Sequence, residues 1–96
     1  MKAIIKRPFE PVGIITDIEN KLRALQIAIG GHIEPVTLRS RGVCILCDEE
    51  GRIYREPHNC RVDGVRFLGT IVVVGADSED FADCPLTLEE WERMLS

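Results

Sequence analysis

Apolar and polar positions along this chain change period several times, and each change predicts an element. Residues 2–7 carry the apolar run Ala3-Ile4-Ile5 and stop at Pro8, which predicts a β-strand. Phe9-Glu10-Pro11 turns the chain, and Val12 to Ile18 predicts a second strand, giving a hairpin. Leu22, Leu25 and Ile29 then fall on one helical face, with Ile18 extending it backwards. A helix is expected over 20–29, capped by Asp17 or Asn20 and stopped at Gly30-Gly31.

His32 to Arg39 predicts a third strand with a fault in its parity. Ile33 has one parity and Val36 and Leu38 the other, so a bulge or an edge position is expected at Pro35. Val43 to Asp48 predicts a fourth strand, the acidic turn 49–51 follows, and Arg52-Ile53-Tyr54 predicts a short partner. Glu56 to Asn59 is expected as loop, and Val62, Val65, Phe67 and Leu68 need burial without a clean period. Thr70 to Val74 is a β-branched run between Gly69 and Gly75, the pattern of a central strand buried on both faces. Residues 76–84 are expected as an acidic loop. Thr87 and Glu90 predict a capping box, with a Leu86–Trp91 staple, for a last helix over 88–95. The fold class expected is α+β: a mostly antiparallel sheet of five to six strands, one central helix and a short C-terminal helix, in one domain over residues 1–96.

Net charge −4 disfavours direct nucleic-acid binding, which draws on clustered Lys and Arg. Aromatic residues are 5% of the chain, so the core must be aliphatic. The acids gather in two groups, Asp48, Glu49 and Glu50, and Asp77, Glu79, Asp80 and Asp83. They solvate loops, or they form a surface that engages a basic protein groove. No apolar run approaches the ~18 residues of a membrane span, and the start is too short for a signal peptide. The expected compartment is the cytoplasm, with four reduced cysteines.

Cys44-Ile45-Leu46-Cys47 has the spacing of a zinc knuckle. Two thiolates on one zinc ion each lie ~2.3 Å from it. In a strand, positions three apart point to opposite faces, with Cα atoms ~10 Å apart. Ile45 and Leu46 are poor turn formers. The cysteines are therefore expected as buried thiols without a metal or other cofactor; the competing reading is a zinc set of Cys44, Cys47, Cys60 and Cys84.

His58-Asn59-Cys60 holds residue types of cysteine hydrolases, yet such groups normally converge from distant segments, and no catalytic residue is assigned. No phosphate-cradling glycine loop is present, since the glycine-bracketed strand is not followed by a helix. Arg52, Tyr54 and Arg55 form the one basic patch next to an aromatic ring.

M-K-A-I-I-K-R-P, L-x-x-L-Q-x-A-I-G-G-x-I-E (Leu22 to Glu34), D-E-E-G (Asp48 to Gly51), P-x-N-x-R (Pro57 to Arg61) and G-T-I-V-V-V-G (Gly69 to Gly75) follow one another in this order. The series resembles an uncharacterised family of small proteins of phages, mobile elements and their bacterial hosts. The resemblance implies no activity and no catalytic residues.

The first functional expectation is a non-catalytic accessory protein. It would bind a host protein, such as a nucleic-acid-handling defence enzyme, through Asp48, Glu49, Glu50, Asp77, Glu79, Asp80 and Asp83, in the manner of an anti-CRISPR inhibitor. The second is a binder of a small nucleotide-like ligand using Arg52, Arg55, Arg61 or Arg66. The third is a small zinc module. Pairable strand edges leave a homodimer open.

Overall fold

A computed structural model describes residues 1–77 and 80–96. Its main sheet runs in the order β2 (Ile14–Asp17), β1 (Lys2–Lys6), β7 (Ile71–Ala76), β4 (Val43–Asp48) and β3 (Ile33–Leu38). A two-residue strand, β8 (Phe81–Ala82), pairs with the end of β7, and every pairing is antiparallel. The run 71–74 is central, between β1 and β4, as its apolar continuity predicts. Val72 and Val74 pack on one face of the sheet, Ile71 and Val73 on the other.

Helix α1 (Leu22–Ile29) covers the first face, with Leu25 and Ile29 set against Ala3, Leu46, Val72 and Val74. Leu22, expected on that buried face, is exposed. The helix starts at Lys21 without a side-chain cap. Asn20, one of the caps expected, instead donates through Nδ2 to the Phe81 carbonyl (3.0 Å) and ties the helix entry to β8. Asp17, the other, holds the amino group of Met1 at 2.7 Å. Gly30 ends the helix with φ +90°, which glycine accepts without Cβ strain.

The second face is covered by a hairpin of β5 (His58–Val62) and β6 (Val65–Leu68) and by helix α2 (Leu88–Met94). The hairpin replaces the loop and the short strand expected in this stretch. Arg52-Ile53-Tyr54 is a turn, with Ile53 and Tyr54 both exposed. Asp63 and Gly64 close the hairpin with φ of 48° and 80°, the left-handed pair that favours Asp-Gly. Thr87 and Glu90 form the predicted capping box, and both staple residues, Leu86 and Trp91, are buried. Trp91 also donates Nε1–H to the Val12 carbonyl at 2.9 Å. An indole so enclosed is worth about 3–5 kcal/mol on truncation to alanine.

The parity fault in β3 has a simple cause. The strand pairs β4 in unbroken register, and both faces are packed: Ile33 towards α1, Val36 and Leu38 towards α2 and the hairpin. Pro35 lies on a sheet edge, where no ladder donor is lost. The bulge is in β5 instead, between His58 and Cys60. Among the described residues, no helix is long and apolar enough to cross a membrane.

Candidate functional site

An eight-residue helix cannot cover one face of a six-stranded sheet. The part that α1 leaves open forms a groove of about 630 Å³, within the range that holds small ligands or a peptide side chain. Its floor is Pro35 and Thr37 of β3, Cys44 of β4 and Ala76 of β7, with Phe81 of β8 beside them. Arg39 stands on one rim and Asp77 and Asp80 on the other. Thr37 Oγ1 is 3.8 Å from Cys44 Sγ.

The four cysteines are free and buried. Cys44 joins the core under α1, while Cys47, Cys60 and Cys84 join the core under α2 and the hairpin. The two sulfurs of Cys44-x-x-Cys47 thus point to opposite faces of β4, as strand geometry requires. Among the described residues, no three His, Cys, Asp or Glu side chains converge to hold a metal ion. Burial raises the pKa of each thiol. Cys47 is pushed to about 11, first by burial and then by the negative charges of Glu34 and Asp48. Such thiols are poor nucleophiles at neutral pH. His58 faces outwards while Asn59 and Cys60 turn inwards, so the three neighbours do not form one site.

The acids expected to bind a partner do not share a surface. Strands β4 and β7 are antiparallel, with Val43 beside Gly75 and Leu46 beside Val72. Asp48, Glu49 and Glu50 therefore lie at one end of the sheet and Asp77, Asp80 and Asp83 at the other; Glu79 lies outside the described residues. Several are engaged locally. Asp48 Oδ1 accepts from the Glu50 amide (2.9 Å), Asp80 Oδ1 from the Phe81 amide (2.7 Å), and Asp83 Oδ1 from the Lys2 amide (2.8 Å). Of the arginines, Arg61 and Arg66 oppose one another across the hairpin, while Arg52 and Arg55 lie in the turn before it.

The family model for a domain of unknown function, DUF3846, matches residues 1–96. The chain belongs to the DUF3846 family. No curated protein and no solved structure matches it.

Two further features of this DUF3846 domain escaped the sequence reading. Lys6 is 3% exposed, on the face of β1 that meets the hairpin. Its ammonium donates to Asn59 Oδ1 at 2.7 Å, and Asn59 Nδ2 donates to the carbonyls of Lys6 (2.8 Å) and Gly69 (2.7 Å). The second feature is a carboxyl pair, Asp48 and Glu56, lodged among Gly31, Gly51 and Gly69. A Cβ on Gly69 would collide with Glu56 Oε2, an enclosed oxygen that accepts from no donor among the described residues. Burial, then the hydrogen bond and negative charge of Asp48, raise the Glu56 pKa to about 7. Lys6, Asn59, Asp48, Gly31, Gly51 and Gly69 each stand in one of the motifs quoted above, but no single motif shows which of them meet, because each feature joins different segments of the chain.

Proposed function

We propose that this domain is a non-catalytic binding protein whose working surface is the groove beside α1. Its partner is a basic, nucleic-acid-handling protein of the host cell, which it obstructs in the manner of a phage or mobile-element inhibitor of defence. The supporting observation is the groove itself: an apolar floor of Pro35, Cys44, Ala76 and Phe81, with Asp77 and Asp80 on its rim. A partner with an apolar side chain for the floor and a cation for the acidic rim suits it, while Arg39 across the groove takes an acceptor. Net charge −4 favours the encounter. The buried, raised-pKa thiols supply no activated nucleophile, which supports action by contact.

The test is affinity capture from host lysate with the wild type and with Thr37→Trp, which fills the groove. The reading expects a basic protein that is captured at low salt, weakened at high salt and lost with the filled groove. Equal capture by both forms would reject the groove as the contact surface.

A further inference from the structure

The outer face of the β5–β6 hairpin is basic in an acidic chain. The bulge turns both Asn59 and Cys60 inwards, which leaves His58 and Arg61 on the outside. Arg61 stands directly opposite Arg66 in the ladder. Like charges so placed weaken a β-pair unless an anion lies between them. Among the described residues, neither guanidinium has an ion-pair partner, and the turn carboxylate, Asp63, faces Arg41 at 3.9 Å. Arg66 Nε donates to His58 Nδ1 at 3.1 Å. That bond assigns the neutral imidazole's proton to Nε2 and leaves the terminal guanidinium nitrogens of Arg66 to other acceptors. Arg66 also lines a cleft with Glu34, Asp48, Glu49 and Arg52. The three carboxylates there disfavour an anion inside that cleft, so the outer face of the hairpin is the surface left to one.

We propose that His58, Arg61 and Arg66 bind a phosphate chain, such as the polyphosphate of a nucleotide. Two adjacent guanidinium forks match successive phosphate groups through paired N–H···O bonds, and the imidazole adds a neutral donor. This site is separate from the groove and does not depend on its role.

The experiment is an NMR titration at low salt, reading the arginine Nε–H signals and the His58 ring, with inorganic triphosphate and then with ATP. Saturable shifts at Arg61, Arg66 and His58 are expected with triphosphate. Loss of one charge-assisted bond in Arg61→Gln or Arg66→Gln should weaken binding about tenfold. Arg66→Lys keeps the charge but not the fork or the bond to His58, and falls between. Tighter binding of ATP identifies a nucleotide as the source of the phosphate chain, and equal binding a free polyphosphate. No saturable shift in the wild type, or unweakened binding in both glutamine variants, overturns the site.

Discussion

Lys6 and Asn59 exchange hydrogen bonds between the two sheets: the ammonium donates to Oδ1 at 2.7 Å, and Nδ2 returns to the Lys6 carbonyl at 2.8 Å. The pair stands in a buried position with no carboxylate engaged with the lysine among the described residues. Asn59→Ala leaves the cation without its main acceptor and should cost about 3 kcal/mol. Lys6→Met combined with Asn59→Leu removes the charge and its acceptor together and should recover the share due to the unpaired cation, while the carbonyls of Lys6 and Gly69 still lose the Asn59 amide. Urea unfolding of the single and double variants measures both; an additive double variant would contradict the coupling.

The carboxyl of Glu56 gives stability a defined pH dependence. Its folded pKa, about 7, lies above the unfolded 4.5. The folded state therefore holds the proton more tightly, and the penalty is absent at low pH. Stability falls as pH rises between these values, and the whole penalty is present above them. Glu56→Gln keeps the shape and removes the charge, so it should flatten this part of the profile and raise stability at alkaline pH. Superimposable melting profiles for the two forms from pH 4 to 8 would contradict the burial of the carboxyl.

Gly69 has φ +71°, and Glu56 Oε2 occupies the space its Cβ would take. Gly69→Ala should cost about 1–2 kcal/mol from the left-handed backbone alone, with an added loss from displacing Glu56. Pairing it with Glu56→Ala should return only the second share, as read by denaturant midpoints.

The cysteines should behave as core residues. A thiol reagent at pH 8 should react slowly with all four in the native protein and rapidly once urea unfolds it, since burial lowers access and raises each pKa. Rapid native reaction of Cys47, Cys60 or Cys84, which lie away from the groove, would show an opening that the packing of the described residues does not contain.

Much of this fold was legible because its signals are local. The β-branched run before Gly75, the glycine stop after Ile29 and the Thr87–Glu90 box each act within one turn or one strand. Asp63-Gly64 was not read as a hairpin turn, although it puts Val62 opposite Val65 and so accounts for the uneven spacing of Val62, Val65 and Phe67. Before it, the bulge that turns Asn59 inwards to meet Lys6, 53 residues away, breaks the strand period. The apparent fault in β3 arose from reading a strand packed on both faces as if it had one. The acidic clusters were visible, but their separation to opposite ends of the sheet depends on the pairing of β4 with β7. The groove follows from the shortness of α1 against the breadth of the sheet, which no periodicity encodes.

The groove's role is tested most directly by following backbone amide signals while a short arginine-containing peptide with one large apolar residue is added. Salt-sensitive, saturable shifts confined to Thr37, Cys44, Ala76, Asp80 and Phe81 are expected, and Thr37→Trp should abolish them. Shifts centred on Asp48, Glu49 and Glu50, or none in the groove, would contradict that role.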